Sequence, residues 1–307
     1  MQKKLIMDVD TGIDDALAIA YAVRSKAFHI LGITTNFGNV PLEMATRNTT
    51  LVLQQLDQNI PVYPGSFHRF HAADETLNFA THVHGDDGLG NTLSVNEASP
   101  VKGDQAVDFL IEQLEQQPGE ITLLFVGPLT NLAKAIEKNQ AAVEKAKQIV
   151  IMGGAVTVPG NVTPYAEANI ASDPKAAQVV FDSGLEITLV GLDVTLQTLL
   201  PRKSVETWLH SNNDLSQFYA DITTHYVNFY EKSNPGIGGC GLHDPLAVGV
   251  ILDSSFVQTK PMRLQVETTG NKKGQTSFNP SGKASVHVCF DVNQQRFLEH
   301  FLTTLNF

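Results

Sequence analysis

The sequence contains little that would indicate an extracellular or membrane-bound protein. Only two of its 307 residues are cysteines, Cys240 and Cys289, too few for a disulfide framework, so free thiols in a reducing compartment are the simpler interpretation. No apolar run approaches the roughly 20 residues that a membrane span requires. The N-terminal Met-Gln-Lys-Lys leads directly into a predicted strand, without the apolar run and cleavage site of a signal peptide. We therefore expect a cytoplasmic protein without membrane contact.

Positive charge is also scarce. The chain has 21 basic and 32 acidic residues, which gives a formal net charge of −11. Binding to a nucleic acid requires a positive surface, so this balance argues against a nucleic-acid partner. The hydrophobic content of 42% and the charged content of 17% are typical of an ordinary globular enzyme.

Short apolar runs alternate with amphipathic stretches through most of the chain. Predicted strands are Lys4–Val9, His29–Thr35, Ile121–Val126, Gln148–Met152 and Glu186–Val190, and predicted helices lie near Asp14–Ser25, Leu42–Leu56, Asp104–Gln116, Asn131–Asn139 and Pro174–Ser183. Further helices are expected over 204–232, His243–Ile251 and Gln294–Leu305, with strands and turns over 256–290. This alternation predicts βαβ units. We expect a single domain over residues 1–307, an α/β fold with a mostly parallel, Rossmann-like central sheet flanked by helices.

Four carboxylates stand at the end of the first predicted strand. Asp8, Asp10, Asp14 and Asp15 occupy a strand-to-helix corner, where they repel one another unless a cation, a proton or a polyhydroxy ligand lies among them. Ligands of parallel sheets bind beyond the carboxyl ends of the strands. Three further loops are expected at the same edge, which supports one active site: residues 35–39, 126–128 and 152–154.

Other origins of this acidic group fit less well. Helix capping, worth ~0.3–1 kcal/mol, would explain Asp14 and Asp15 but not the other two aspartates. An EF-hand loop requires a preceding helix and a glutamate at its twelfth position, and both are missing. An aspartate-nucleophile phosphatase of the haloacid dehalogenase type also begins with a strand and Asp-x-Asp, but requires Thr or Val where this chain has Gly12. It stays as the alternative enzyme.

The run Asp-Val-Asp-Thr-Gly-Ile-Asp-Asp-Ala at positions 8–16 resembles the signature of the inosine-uridine-preferring nucleoside hydrolase family. Other landmarks of that family follow in order: Asn39 after Asn36-Phe37-Gly38, His84-Gly85-Asp86-Asp87-Gly88, 126–131, 152–154, 160–164, 167–169, Asp173-Pro174 and His243-Asp244-Pro245. The resemblance implies calcium-dependent hydrolysis of the N-glycosidic bond of ribonucleosides, pyrimidine nucleosides or inosine, to ribose and free base. It also implies a homo-oligomer, either a dimer or a tetramer. A non-catalytic nucleoside- or ribose-binding protein is the remaining alternative.

The same resemblance assigns roles to individual residues. It implies that Ca²⁺ is held by Asp10, Asp15, Asp244 and the main-chain oxygen of Val126, a set of oxygen ligands that suits this cation. Asp10 would act as general base on a metal-bound water, and His243 would give the leaving base a proton or hydrogen bond. Residues implied to contact the substrate are Asp14, Asn39, His84, Met152, Asn161, Glu167, Asn169, Tyr226 and Tyr230. Asp8 is expected to orient Asp10 or its neighbours.

Simpler roles remain for several of these side chains. Asn39 and Asn161 adjoin glycines and could be turn residues, and Met152 could fill the core. Tyr226 and Tyr230, one helical turn apart, could pack in the core or line the base pocket.

Three local expectations concern geometry. Alternation predicts Glu167 and Asn169 on one side of an extended segment. Asp244 is expected to cap its helix. His82 and His84, on one face of an extended strand, could mimic a zinc pair, but no third nitrogen or sulfur ligand is evident.

Overall fold

The computed structural model describes residues 2–72, 75–93 and 99–307. Its strands are β1 (Lys3–Val9), β2 (Phe28–Thr35), β3 (Val62–Pro64), β4 (Ile121–Phe125), β5 (Gln148–Met152), β6 (Ile187–Val190), β7 (Leu199–Pro201), β8 (Gly239–Gly241), β9 (Val257–Met262), β10 (Leu264–Val266), β11 (Thr276–Phe278) and β12 (Val286–Val292). Eight of them form one sheet in the order β3-β2-β1-β4-β5-β6-β12-β9. Within this sheet the edge strand β9 is antiparallel to β12, and the other neighbouring strands are parallel. The predicted α/β fold with a mostly parallel sheet is confirmed.

The helices are α1 (Ile13–Arg24), α2 (Leu42–Gln55), α3 (Thr81–His84), α4 (Gln105–Gln116), α5 (Thr130–Val143), α6 (Ala168–Ser172), α7 (Pro174–Asp182), α8 (Leu192–Thr195), α9 (Arg202–Leu209), α10 (Asp214–Ser233), α11 (His243–Leu252) and α12 (Gln294–Leu305). None of the helices in the described part of the chain is long and apolar enough to cross a membrane.

Apolar side chains on both faces of the central strands explain the layered arrangement. In β4, Leu124 packs into one buried cluster with α1, α10, α11 and α12, whereas its neighbours Leu123 and Phe125 pack into a second cluster with α4, α5 and α7. Successive side chains of a strand point to opposite faces, so a nearly continuous apolar run is needed where helices cover both. Helix α11 is buried along all but its last residue.

The sheet brings distant segments of the chain to one edge. Because β1, β4 and β5 are parallel neighbours, the residues that follow Val9, Phe125 and Met152 leave the sheet on the same side. Helix α11 packs beside α1 and so adds residues 243 and 244 to this edge.

Three local expectations were wrong. Asp244 is the second residue of α11 and does not cap it, since the N-cap position is Leu242. Glu167 and Asn169 do not share an extended segment, because Glu167 is the N-cap of α6 and Asn169 lies within that helix. His82 and His84 belong to the short helix α3 rather than to a strand.

Candidate active site

Five aspartates from two ends of the chain form a buried carboxylate cluster, which we define as Asp8, Asp10, Asp14, Asp15 and Asp244. Each of these residues is at most 7% exposed. One carboxylate oxygen from each of Asp14, Asp15 and Asp244 lies within 4.8 Å of the other two. Strand β1, the loop that follows it and the first turn of α1 supply four members, and α11 supplies the fifth. Such a group of oxygen ligands can hold a metal ion.

Hydrogen bonds orient part of the cluster and leave other oxygens unpaired. Asp10 Oδ2 accepts the Asn39 main-chain N–H at 2.6 Å. Asp15 accepts the N–H groups of Gly12 and Asp10 and the Asn39 side-chain amide, at 2.9–3.2 Å. Among the described residues, no donor reaches the buried Oδ1 atoms of Asp8, Asp10 and Asp14. A buried oxygen without a hydrogen-bond donor destabilises the folded state. A cation would both balance the negative charge of the cluster and bind the unpaired oxygens.

Burial has a strong effect on the acidity of the cluster. It is the largest cause that raises the pKa of Asp8 to about 7, of Asp14 to about 8 and of Asp15 to about 6. The pKa values of Asp10 and Asp244 are also raised well above the usual range, by burial and then by the neighbouring carboxylates. A cation among these groups would favour their ionised forms, whereas in its absence the cluster retains protons.

Two glycines leave room for the Asp10 carboxylate. A Cβ at Gly38 would lie 2.0 Å from Asp10 Oδ2, and one at Gly127 would lie 2.8 Å from Oδ1. Both distances are far below any real contact of a Cβ atom. The loops after β2 and β4 therefore approach Asp10 with their main chains, which only glycine permits at these positions.

The role expected for Asp8, orienting Asp10 or its neighbours, stays a prediction, and the hydrogen bonds of Asp8 run to β2 and α5. Its Oδ2 accepts from Thr34 Oγ1 at 2.5 Å and from Asn131 Nδ2 at 2.7 Å. Asn131 also donates to the Thr35 carbonyl and accepts the Ser66 N–H. Asp8 thus fastens β1 to the ends of β2 and α5 beneath the cluster.

His84, the last residue of α3, enters the site. Its Nδ1 accepts the Ile13 main-chain N–H at 3.1 Å, so the ring hydrogen of the neutral imidazole is on Nε2. Burial lowers the pKa of His84 to about 3. The 4.0 Å approach of Nδ1 to Asp14 Oδ1 is therefore not an ion pair at neutral pH.

The two tyrosines of α10 line the site. Tyr226 stacks on His84 with ring centroids 5.5 Å apart, and its hydroxyl lies 3.5 Å from Asp14 Oδ2. Tyr230 Oη lies 2.5 Å from His243 Nε2, and the two tyrosine rings meet edge to face at 5.0 Å. Both side chains pack against the buried core and present their hydroxyls to the polar groups of the site.

The opposite side of the site is built around Asn169. Its Nδ2 donates to the carbonyl oxygens of Val126 at 2.8 Å and Met152 at 3.1 Å. Glu167 accepts the main-chain N–H groups of Gly154, Asn169 and Ile170 at 2.8–3.1 Å. These bonds hold the ends of β4 and β5 against α6.

Asn161 lies outside the buried group. Its side chain is exposed, and its Oδ1 accepts the Ala168 N–H at 3.0 Å. The loop that carries Asn161 is therefore hydrogen-bonded to the start of α6. The other predicted site residues are buried or partly buried.

Two contributing residues were missed from the sequence. Thr195 Oγ1 lies 2.7 Å from His243 Nδ1. Asn48 Nδ2 donates to the carbonyls of Thr11 and Asp87. It thereby joins the loop between β1 and α1 to the loop that follows α3. Neither residue lies in a motif, and their partners are tens of positions away in the chain. No local signal would have identified them.

Comparison with known proteins finds similar nucleosidases and nucleoside hydrolases. Uridine nucleosidase 1 of Arabidopsis thaliana is 40% identical over 97% of this chain and 91% of its own length. The pyrimidine-specific ribonucleoside hydrolase RihB of Escherichia coli O157:H7 is 35% identical, over 92% and 88%. The solved structure of a purine-preferring ribonucleoside hydrolase from Gardnerella vaginalis has a TM-score of 0.91 and 39% identity, covering 99% of this chain and 98% of that one.

The family model described as inosine-uridine preferring nucleoside hydrolase matches residues 5–299. This match confirms the resemblance seen in the motifs, and it removes the phosphatase and the non-catalytic binding protein as alternatives. The chain belongs to the inosine-uridine preferring nucleoside hydrolase family and is an N-glycosidic hydrolase of nucleosides.

Proposed function

We propose that the enzyme is a calcium-dependent ribonucleoside hydrolase that acts on pyrimidine nucleosides and inosine. The observation that carries the proposal is the buried carboxylate cluster, in which the Oδ1 atoms of Asp10 and Asp14 have no donor among the described residues. A hard cation and the hydroxyls of a pentose are ligands that would satisfy such oxygens.

Asp10, Asp15, Asp244 and the Val126 carbonyl would hold the calcium ion. All four offer oxygen, and none offers the nitrogen or sulfur that zinc prefers. The Val126 carbonyl accepts one hydrogen bond, from Asn169, so one of its two lone pairs remains for the ion. When bound, the ion would supply positive charge that favours ionised carboxylates and acidifies a coordinated water.

Asp10 would take the proton of the attacking water. Its Oδ2 is fixed by the Asn39 N–H, while Oδ1 has no donor among the described residues. Burial raises the pKa of Asp10 well above its usual range in the metal-free cluster, and a bound cation would favour the ionised form that accepts the proton. The main chains at Gly38 and Gly127 restrict the carboxylate to one orientation.

The ribose would be gripped by hydroxyl contacts from Asp14, Asn39, Met152, Asn161, Glu167 and Asn169. Among them Asp14 has a buried Oδ1 without a donor, which suits a sugar hydroxyl. Glu167 already accepts three main-chain N–H groups, and a carboxylate has about four lone-pair sites, so it can accept one more hydrogen bond. Binding energy from these contacts would distort the sugar towards an oxocarbenium ion.

His84, Tyr226, Tyr230 and His243 would surround the leaving base. Burial lowers the pKa of His243 to about 4, so its ring is neutral at pH 7. A neutral ring stabilises the departing base by a hydrogen bond rather than by delivering an acidic proton. Tyr230 Oη, 2.5 Å from His243 Nε2, extends that hydrogen bond towards Tyr226.

The names of the relatives support activity on nucleosides with more than one kind of nucleobase. They describe a uridine nucleosidase, a pyrimidine-specific hydrolase and a purine-preferring hydrolase at 40%, 35% and 39% identity. We therefore propose uridine as the first substrate, with cytidine and inosine as further substrates.

The test is to measure ribose release from uridine, cytidine, inosine, adenosine and guanosine in calcium-containing buffer. The same assay is repeated after removal of divalent ions by a chelator and after re-addition of Ca²⁺ or Mg²⁺. We expect activity on uridine that is lost on chelation and restored by Ca²⁺. Full activity after thorough chelation would contradict the proposed metal, and ribose release from purine nucleosides alone would contradict the proposed substrates.

A further inference from the structure

We infer that Thr195 is a positioning residue that keeps the ring hydrogen of His243 on Nε2, the nitrogen that contacts Tyr230 on the side proposed for the leaving base. This inference rests on the proposed role of His243. Thr195 ends the short helix α8, which follows β6. Its hydroxyl lies 2.7 Å from His243 Nδ1, and its side chain is fully buried.

The hydrogen-bond partners of Thr195 determine the direction of this contact. Among the described residues, His243 Nδ1 is the only partner of Thr195 Oγ1. A hydroxyl always has one hydrogen to donate, and a buried donor without an acceptor is costly. The Thr195 hydroxyl therefore donates, and His243 Nδ1 accepts.

This direction fixes the tautomer of the ring. A neutral imidazole carries one hydrogen, so a ring that accepts at Nδ1 carries its hydrogen at Nε2. That hydrogen points at Tyr230 Oη, 2.5 Å away. The Tyr230 hydroxyl is then free to donate onwards, on the side where its ring meets Tyr226, whose hydroxyl in turn approaches Asp14.

The result is a chain of donors that runs in one direction, from Thr195 through His243 to Tyr230. In the opposite tautomer, His243 Nδ1–H would donate to Thr195, and the Thr195 hydrogen would have no acceptor in the described part of the chain. His243 Nε2 would then accept from Tyr230 and would have no hydrogen to offer to the leaving base. Thr195 thus acts on the leaving group without touching it.

Substitutions of Thr195 test the inference through the choice of leaving group. Thr195→Val keeps the shape but removes the hydroxyl, and Thr195→Ser keeps the hydroxyl. Thr198→Val is the matched control, because Thr198 is also buried and donates to the Thr195 carbonyl at 3.0 Å without contacting His243. Each variant is assayed in calcium-containing buffer on uridine and on p-nitrophenyl riboside, whose leaving group requires no proton.

We expect Thr195→Val to lower kcat on uridine by about tenfold or more and to change kcat on p-nitrophenyl riboside by less than about threefold. Thr195→Ser and Thr198→Val are expected to retain activity on both substrates. Equal losses of Thr195→Val on both substrates would mean a merely structural role, and no loss on uridine would remove the role altogether.

Two further measurements separate this inference from the proposed function. His243→Ala should lose far more activity on uridine than on p-nitrophenyl riboside. Equal losses would refute the role of His243, whereas a selective loss without a matching effect in Thr195→Val would refute only the role of Thr195. Nitrogen-15 NMR of histidine-labelled, calcium-loaded enzyme, with His243 identified by its absence in His243→Ala, reports the tautomer without relying on a variant. A hydrogen on Nδ1 would overturn the inference.

Discussion

Gly38 approaches the Asp10 carboxylate so closely that a Cβ at position 38 would lie 2.0 Å from Oδ2. The main chain of the next residue, Asn39, donates to the same oxygen at 2.6 Å. The loop after β2 therefore fixes the orientation of Asp10 through its main chain, and this contact requires a residue without a side chain.

Gly38→Ala is expected to displace the Asp10 carboxylate and to lower kcat by about 100-fold or more, because catalytic groups tolerate little misplacement. Gly184→Ala is the matched control. Gly184 has a φ of +76° but no heavy atom within 4 Å of an added Cβ, so alanine there should cost about 1 kcal/mol of stability and leave kcat unchanged. Measured kcat and thermal unfolding of both variants check this. Normal activity of Gly38→Ala would show that the loop can move away.

Asp10→Asn should separate stability from function. It removes one charge from the buried carboxylate cluster, so in chelator we expect the same Tm as the parent enzyme or a higher one. In calcium-containing buffer its kcat should fall by about two orders of magnitude or more, since the side chain can no longer accept a proton. Asp108→Asn, which removes only a surface pair with Lys138, should change neither value. A lower Tm in chelator would show that ionised Asp10 stabilises the fold.

The metal-free enzyme should lose stability as the pH rises. Burial raises the pKa of Asp15 to about 6, of Asp8 to about 7 and of Asp14 to about 8, from 3.8. The folded state thus binds more protons than the unfolded chain, and its stability is greatest below pH 4 for these groups and is lost as pH passes through 6–8. Calcium reverses the preference, so the increase in Tm caused by Ca²⁺ should grow with pH.

Thermal unfolding from pH 5 to pH 9, with chelator and with Ca²⁺, measures both trends. Asp14→Asn removes one titrating group from the cluster. It should therefore make the decline of Tm with pH in chelator less steep. A Tm in chelator that is constant or rising over this range would contradict the buried, protonated cluster.

Asn48→Ala should weaken both the fold and the site. Asn48 Nδ2 donates to the carbonyls of Thr11 and Asp87, at 3.0 and 2.9 Å, and the side chain is fully buried. Its loss removes the donor of the buried Thr11 carbonyl, whereas the Asp87 carbonyl keeps its hydrogen bond from Arg47, so the free energy of unfolding should fall by about 1–3 kcal/mol. The loop after α3, next to His84, would also lose its link to the loop between β1 and α1. We therefore expect kcat/KM on uridine to fall by about tenfold.

The exposed residue Asn228 provides the comparison for Asn48. Asn228→Ala removes only a surface hydrogen bond with Arg202, and stability should stay within about 0.5 kcal/mol. Chemical denaturation of both variants measures the free energy of unfolding, and uridine assays measure kcat/KM. A stable Asn48→Ala variant with full activity would show that His84 is positioned by the Ile13 N–H alone.

The long elements of the fold could be predicted because their patterns are local. The predicted strand Gln148–Met152 agrees with β5 at both ends, and the predicted helix Gln294–Leu305 agrees with α12. The four-residue helices α3 and α8 and the three-residue strand β3 are too short to show a period, so they were not predicted. They matter nonetheless, because α3 carries His84 and α8 carries Thr195.

The sequence identified the residues of the site better than it identified their hydrogen-bond partners. The family motifs identified the carboxylates, the histidines and Asn169, whereas the hydrogen-bond partner of each side chain depends on the packing of distant elements. Glu167 illustrates the difference, since only the structure shows that its carboxylate caps α6. The cap expected at Asp244 failed for the same reason, because α11 begins one residue before that aspartate.

The position of β12 between β6 and β9 has a consequence for synthesis. While the ribosome is still translating residues before 286, the edge of β6 has no partner on that side, and β9 has no sheet to join. An unpaired edge can bind another nascent chain. The eight-stranded sheet can therefore close only after β12 has been synthesised.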